Sequence, residues 1–283
     1  MMTAMHRREF LAATAASLMP FSRTQLLAAE KPSIQLGVQS YTFREFDLEP
    51  ALKRIHELGL KQAEFYSKHI PPASSSSKLK EILKLCQDYE ITPVGFGVSQ
   101  FSKDHEANKK LFEFGSALGL KYLSADPTPD AFESLDKLCE EYKIAIAIHP
   151  HGPMGKGFHR WYSAEIILKA VKDHHPLIGS CLDTGHLIRA AQLGEKLDPA
   201  QQVRHMGARN FAMHLKDHDN KRRTDVVFGD KTGALNVQAV FEALHEVKFR
   251  GTVCIEYEAN PMNPSQDMKQ CVEYANNVLS KLG

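Results

Sequence analysis

The sequence lacks an excess of either charge. It contains 35 Lys and Arg residues against 34 Asp and Glu residues, so its formal net charge at pH 7 is +1. Nucleic acids and anionic membrane surfaces attract proteins through an excess of positive charge. On electrostatic grounds we therefore expect no nucleic-acid partner and no membrane partner.

Motifs for nucleotides, zinc ribbons and disulfide frameworks are also missing. There is no GxGxxG after the first predicted strand and no GxxxxGK[ST], so nucleotide binding has little support. The five cysteines are far apart and form no CxxC pair, which argues against a zinc ribbon and a disulfide framework. Cys181 and Cys254 fall within predicted strands, where we expect small buried thiols.

The first thirty residues have the pattern of an export signal. His6-Arg7-Arg8-Glu9-Phe10-Leu11 resembles the twin-arginine motif, an apolar stretch follows it, and small residues after Leu27 offer a cleavage site. The apolar stretch is too short for a transmembrane helix. We expect residues 1–30 to be a twin-arginine-type signal peptide and the mature protein to be periplasmic or otherwise extracytoplasmic. An ordinary amphipathic helix is the alternative.

The rest of the chain alternates apolar, strand-like runs with segments of helical periodicity. Two of the helical segments close on Gly59 and Gly119, each leading directly into a strand, and the serines at 74–77 suggest a solvated connection. The eight predicted strands are 34–40, 62–66, 91–97, 120–125, 144–149, 178–183, 211–216 and 252–257. Eight β–α repeats, with polar residues at the carboxyl ends of many strands, favour a (β/α)8 TIM barrel over an open sheet. Residues 31–283 would form this single domain.

Four consecutive predicted strands end on a residue that can bind a metal. These residues, on the fifth to eighth strands, are His149, Asp183, His214 and Glu256. Residues two apart share a strand face, so all four meet at the barrel mouth if these faces point inward. Two imidazoles and two carboxylates suit a divalent ion: Mn²⁺ is expected first, with Zn²⁺, Co²⁺, Fe²⁺ and Mg²⁺ as alternatives. Taken singly, each residue could instead be structural.

Neighbouring residues are candidates for catalysis. Lys216 shares a face with His214 and could stabilise an enediolate oxygen or bind an anionic group. His151 could be a second ligand, a base or a partner of a ligand. Glu64, at the end of the second strand, could orient substrate hydroxyls or act as a base.

Residues of the loops after the strands are candidates for substrate binding. Arg44 would line the rim, and Glu258 shares a face with Glu256. Trp161, the single tryptophan, could stack on a sugar ring or simply pack, and Arg160 could bind a carboxylate or phosphate.

The motifs at the last three strands resemble a known superfamily. Asp-Thr-Gly-His at 183–186, His-Leu-Lys-Asp at 214–217 and Ile-Glu-Tyr-Glu at 255–258 resemble the xylose isomerase-like TIM-barrel superfamily, which includes sugar isomerases, sugar epimerases and endonuclease IV. Epimerases of this group hold a metal with Glu, Asp, His and Glu from strands five to eight. The matching residues here are His149, Asp183, His214 and Glu256, so the fifth strand departs from that pattern. His186 matches a position that contacts substrate oxygens.

The resemblance implies an isomerase or epimerase acting on a small carbohydrate. The metal would bind a carbonyl and its adjacent hydroxyl, and a base (Glu256, His151 or Glu64) would remove the neighbouring proton to give an enediolate. Because the fifth strand lacks the glutamate, a lyase acting on a keto-sugar, which needs a single base, is the alternative. A phosphodiesterase of the endonuclease IV kind and a non-catalytic sugar-binding barrel are less favoured. Self-association into a homo-oligomer is left open.

Overall fold

The computed structural model describes residues 34–282 of the chain. The predicted signal peptide at 1–30 lies outside the described residues. Within the described part of the chain, no helix is both long enough and apolar enough to cross a bilayer.

Eight parallel strands close into a barrel, which confirms the predicted (β/α)8 fold. Around the barrel the order is β1, β2, β3, β4, β5, β6, β7 and β10, and β10 pairs with β1. The ten strands are β1 (Gln35–Gln39), β2 (Gln62–Phe65), β3 (Thr92–Phe101), β4 (Tyr122–Pro127), β5 (Ala145–Ile148), β6 (Ile178–Asp183), β7 (Asn210–Leu215), β8 (Asp217–Asp219), β9 (Thr224–Val226) and β10 (Thr252–Ile255). Each of the eight predicted strands corresponds to a barrel strand.

Helices follow the barrel strands. They are α1 (Leu48–Glu57), α2 (Ser76–Asp88), α3 (His105–Ala117), α4 (Phe132–Tyr142), α5 (Ala164–Val171), α6 (Thr184–Arg189), α7 (Pro199–Met206), α8 (Val237–Glu246) and α9 (Ser265–Leu282). Gly59 and Gly119 have φ of 74° and 67°, the left-handed conformation expected after a helix. The predicted solvated connection at 74–77 is wrong in part, because the Ser75 hydroxyl accepts a hydrogen bond from the Lys78 N–H and starts α2.

The barrel interior is filled by mostly small side chains. Its cluster of buried residues consists of Val94, Tyr122, Ala145, Ala147, Cys181 and Ala212. A larger apolar cluster fills the layer between the barrel and the helices. The inward direction of Ala147, Cys181 and Ala212 means that side chains two residues further along β5, β6 and β7 also point to the barrel axis. All five cysteines are buried free thiols.

A short hairpin that the sequence pattern did not reveal follows β7. Strands β8 and β9 pair antiparallel, and Asp217 anchors the first of them by accepting hydrogen bonds from the N–H groups of His218, Ala234 and Leu235 at 2.8–2.9 Å. Asp225 of β9 accepts a hydrogen bond from the Glu258 N–H at 3.0 Å. The hairpin is therefore tied to the segment that follows β10 at the barrel mouth.

Candidate active site

Four side chains from consecutive strands converge at the carboxyl end of the barrel. The ligand-type atoms of His149, Asp183, His214 and Glu256 all lie within 4.8 Å of one another, and all four residues are buried. His149 Nε2 lies 3.0 Å from His214 Nδ1 and 3.5 Å from Asp183 Oδ2. His214 Nδ1 lies 3.5 Å from Glu256 Oε2. The structure thus brings together the four residues that the sequence pattern grouped.

The donor atoms fit a divalent metal ion. Four donors placed about 2.1 Å from a common centre lie about 3.4 Å apart in a tetrahedron, close to the separations observed here. Asp183 Oδ1 accepts a hydrogen bond from the His186 N–H at 2.8 Å. The buried Oδ2 lies 3.2 Å from the Lys216 ammonium and 3.5 Å from His149 Nε2, but it accepts no hydrogen bond of good geometry within the described residues. Buried carboxylate oxygens are normally hydrogen-bonded, so one that has only charge contacts favours a bound cation.

The charge balance of the cluster also favours a cation. Asp183, Glu256 and Glu64 are three buried carboxylates, and Lys216 is the one buried ammonium beside them. Lys216 Nζ lies 2.8 Å from Glu256 Oε2 and 3.2 Å from Asp183 Oδ2. When both histidines are neutral, as metal ligands must be, three negative charges face one positive charge, and a divalent ion would balance them. Burial alone would lower the pKa of His214, but Cys181 and Glu64 raise it well above its usual value. Without a metal the ring therefore holds a proton, which a bound divalent ion would displace.

Glu64 lies beneath the cluster rather than at the mouth where we expected it. Its carboxylate is fully buried and accepts hydrogen bonds from Gln39 at 2.8 Å, from Tyr122 at 2.7 Å and from Ser124. Its Oε2 also lies 2.9 Å from His214 Nε2. Since this contact makes Nε2 the protonated nitrogen, the lone pair of Nδ1 is directed at the metal-ligand cluster. The position of Glu64 favours an orienting role and keeps its carboxylate away from substrate.

A cavity of about 550 Å³ opens above the cluster. Its polar side carries the candidate residues His149, His151, His186, His214, Lys216, Glu256 and Glu258. The rest of its lining is mixed: the apolar or aromatic residues Tyr41, Tyr66, Pro72, Phe96, Val98 and Leu111 alternate with the polar residues Gln39, Ser67, Ser99 and Gln100. A sugar has both hydroxyl groups and apolar C–H faces, so a cavity lined by both polar and apolar side chains suits a carbohydrate.

His186 presents one hydrogen-bond donor to this cavity. Its Nδ1 accepts a hydrogen bond from the Gly152 N–H at 2.9 Å, so the neutral ring carries its proton on Nε2. Burial lowers the pKa of His186 well below its usual value and keeps the ring neutral. His186 can therefore donate to a substrate oxygen, the role its position implied.

His151 lies between two other histidines at the same wall. Its ring centroid is 4.8 Å from that of His149 and 4.7 Å from that of His159, and its Nδ1 is buried without a partner among the described residues. Burial, aided by these two neighbouring imidazoles, lowers the pKa of His151 to about 3. The ring is therefore neutral at pH 7 and can accept a proton.

Three residues expected to bind substrate do not line this cavity. Trp161 is buried in the core, donates from Nε1 to the Pro127 carbonyl at 2.9 Å and packs edge-on against Phe132, so the predicted sugar stacking is not what the structure shows. Arg160 is exposed and lies 3.5 Å from Asp126. Arg44 donates to the Glu258 carbonyl at 2.7 Å, bracing the rim without lining the cavity.

The aromatic residues of the cavity were not predicted from the sequence. Tyr41 and Tyr66 contact each other edge-to-face with centroids 5.2 Å apart, and Tyr41 and Val98 are among the exposed large apolar residues. Tyr41 and Tyr66 follow barrel strands at the carboxyl end, the edge where TIM barrels place their sites, and that position is the signal in the sequence.

The chain belongs to the xylose isomerase-like TIM barrel family, whose model matches residues 52–277. No curated protein matches the sequence. An uncharacterised protein from Parabacteroides distasonis is 26% identical, with a TM-score of 0.67 over 88% of this chain and 99% of that one. D-psicose 3-epimerase from Clostridium cellulolyticum H10 is 15% identical, with a TM-score of 0.68 over 87% and 99% of the two chains. The 3-keto-D-glucoside 4-epimerase of E. coli is 14% identical, with a TM-score of 0.67 over 87% and 100%.

Proposed function

We propose that this protein is a metal-dependent sugar isomerase or epimerase that removes a proton next to a substrate carbonyl. The observation that carries the proposal is the convergence of His149, Asp183, His214 and Glu256, whose ligand atoms lie within 4.8 Å of one another, beside a cavity lined by both polar and apolar side chains. Sugar epimerases among the structural neighbours support the same class of reaction.

A divalent ion held by these four residues would supply Lewis-acid stabilisation of the negative charge that develops on a substrate oxygen. Lys216 adds a fixed ammonium at the same wall, and its buried position strengthens its interaction with that charge. The Nε2–H of His186 orients a substrate oxygen. The aromatic wall formed by Tyr41 and Tyr66 packs against the apolar face of the sugar.

We assign proton removal to His151. Glu64 is saturated with hydrogen bonds beneath the cluster. Glu256 Oε2 lies 2.8 Å from Lys216 Nζ and 3.5 Å from His214 Nδ1, so this carboxylate is engaged within the cluster. His151 lines the cavity as a neutral imidazole with a nitrogen free of protein partners among the described residues.

A lyase acting on a keto-sugar or keto-glycoside is the second candidate. The fifth strand supplies His149 in place of a second metal-binding glutamate, so the cavity offers one well-placed base rather than a pair of carboxylates on opposite faces. A single base suffices for β-elimination, in which the leaving group departs from the carbon next to the deprotonated one.

Deuterium exchange tests the proposal and separates the two candidates. The protein loaded with Mn²⁺, and the same protein stripped with EDTA, would be incubated in D₂O with D-psicose, D-tagatose, D-fructose and a 3-keto-D-glucoside. An isomerase or epimerase gives deuterated sugar and its isomer only when loaded, whereas a lyase releases the aglycone of the glycoside. No exchange and no product with any sugar would contradict both, and equal exchange after stripping would contradict the metal dependence.

Matched variants test the base in the same assay. His151→Gln is expected to lower the exchange rate by about 10²–10⁴-fold. His205→Gln, a substitution of an exposed histidine on α7, serves as the control and should leave the rate unchanged. Equal rates in the two variants would remove His151 from the mechanism.

A further inference from the structure

A second cavity of about 430 Å³ adjoins the first one at the barrel mouth. Its walls come from the loop after β5, from helix α6 and the turn after it, from the β8–β9 hairpin and from the segment after β10. Glu258 lines both cavities. Arg189 of the second cavity lies 3.4 Å, Nη1 to Nδ1, from His186 of the first. The two cavities are therefore neighbours at the barrel mouth.

Two arginines line this second cavity without an acidic partner. Arg189 Nε is buried with no hydrogen-bond partner, and neither Arg189 nor Arg223 forms an ion pair within residues 34–282. Other arginines have acceptors: Arg204 and Arg222 pair with Glu246 and Asp219, and Arg44, Arg54 and Arg209 donate to backbone carbonyls. Buried guanidinium nitrogens normally find an acceptor, so the unpartnered Nε of Arg189 has unused capacity for one, and the exposed Arg223 lines the same cavity.

The carboxylates of the same cavity are already engaged. Asp225 Oδ1 lies 3.0 Å from His218 Nδ1, and Asp225 Oδ2 accepts the Glu258 N–H at 3.0 Å. The Glu258 carboxylate pairs with Lys216 on the side of the first cavity. Neither carboxylate pairs with Arg189 or Arg223, so the two guanidinium groups keep donors free for an oxyanion, in contrast to Lys216 of the first cavity, which carboxylates surround.

We infer that the second cavity binds an oxyanion, a carboxylate or a phosphate, carried by a part of the substrate that extends beyond the sugar unit over the metal-ligand cluster. The substrate would then be an acidic compound of at least two units. Guanidinium groups bind both oxyanions through paired N–H donors, and Gln192 and Thr224 add uncharged polar groups to the same wall. This inference rests on the proposed function for the identity of the first unit as a sugar.

Calorimetric binding of matched ligand pairs to the Mn²⁺-loaded protein tests the inference. Lactobionate and lactitol share a galactosyl unit and an open chain, and they differ by a carboxylate in place of a hydroxymethyl group. We expect lactobionate to bind at least about tenfold more tightly, the effect of one charge-assisted contact. Sucrose 6-phosphate against sucrose tests the phosphate in the same way, and the pair with the larger ratio identifies the oxyanion.

Arginine variants show whether the second cavity causes the discrimination. Arg223→Gln, which touches no residue of the first cavity, and Arg189→Gln should bring the affinity ratio close to one. Lys221→Met removes the same charge from the same hairpin turn outside the cavity and should leave the ratio unchanged. Equal affinities within both ligand pairs overturn the inference, and so does a ratio that survives Arg223→Gln, because the carboxylate would then be bound elsewhere.

The binding measurement is independent of turnover. Tighter binding of the acidic ligand of a pair, without deuterium exchange on any sugar, would support the oxyanion site and overturn the proposed reaction. Deuterium exchange on neutral sugars, with equal affinities within both ligand pairs, would support the proposed reaction and overturn the oxyanion site.

Discussion

Two buried carboxylates in this barrel differ in how their oxygens are satisfied. Glu64, beneath the mouth, accepts hydrogen bonds from Gln39, Tyr122 and Ser124 and also contacts His214. Asp183, at the mouth, has one oxygen bonded to the His186 N–H and the other without a hydrogen-bond partner in the described structure. Both residues are fully buried, so burial is not what distinguishes them. The Asp183 oxygen that lies near Lys216 without a hydrogen bond is the reason why we propose Asp183 as a metal ligand and Glu64 as a residue that orients His214.

The largest expected effect is that of Asp183→Asn. Loss of this ligand should weaken Mn²⁺ binding on the order of 1000-fold, about a quarter of the ~10–16 kcal/mol that a four-ligand site supplies. Elemental analysis after dialysis and metal titration measure it. Asp126→Asn, which changes a carboxylate outside the cluster, is the control. Full metal occupancy in the Asp183 variant would remove this residue from the ligand set.

Lys216→Met should destabilise the metal-free protein by about 3 kcal/mol, because Asp183 and Glu256 would lose their buried counter-charge. Added Mn²⁺ should recover part of this loss by neutralising the same carboxylates. Urea unfolding with and without the metal measures both quantities. An equal loss in the two conditions would mean that Lys216 and the metal do not share these carboxylates.

Glu64→Gln should weaken metal binding by about 10–100-fold without removing a ligand, since the partner of His214 Nε2 changes from a carboxylate to an amide. Metal titration followed by activity at saturating metal distinguishes this effect from a role as base. Activity that returns at high metal concentration supports the orienting role. Activity that stays lost in a fully loaded protein would instead make Glu64 a participant in the chemistry.

Trp161→Phe is expected to have the smallest effect. The variant should lose about 1–2 kcal/mol of stability through the missing hydrogen bond to the Pro127 carbonyl and the smaller ring, with kcat and KM unchanged. Thermal unfolding and steady-state kinetics measure the two parts. A large rise in KM would restore Trp161 as a sugar-stacking residue.

The fold could be predicted from the sequence because apolar runs alternate with segments of helical periodicity eight times, and many of these runs have a polar residue at or just after the carboxyl end of the strand. The four-residue cluster could be predicted for the same reason, since alternation along a strand fixes which side chains point inward. The depth at which each strand-end side chain lies in the barrel could not be predicted. Strands in a closed barrel are tilted and staggered, so two strand-end carboxylates such as Glu64 and Glu256 lie at different levels.

The positions of residues in loops could not be predicted either. Trp161 follows a glycine-rich loop, and the sequence of such a loop has no periodic pattern from which its conformation could be predicted. The buried indole donates a hydrogen bond to the carbonyl of Pro127, which is distant in sequence. The β8–β9 hairpin has strands of three residues, too short for an alternating pattern to be visible. Arg223, at the turn of this hairpin, therefore gave no sign in the sequence that it would face a cavity.

Helix α6 begins directly after β6, and this affects which metal ion the proposed site would prefer. Asp183 is the last residue of the strand and the capping residue of the helix, and its Oδ1 is committed to the His186 N–H. Its carboxylate can thus offer a metal one oxygen in a fixed direction. Calcium requires six to eight oxygen ligands and often two from one carboxylate. A stiff, single-oxygen aspartate beside two imidazoles should therefore reject calcium in favour of smaller transition-metal ions, which competition between Ca²⁺ and Mn²⁺ would reveal directly.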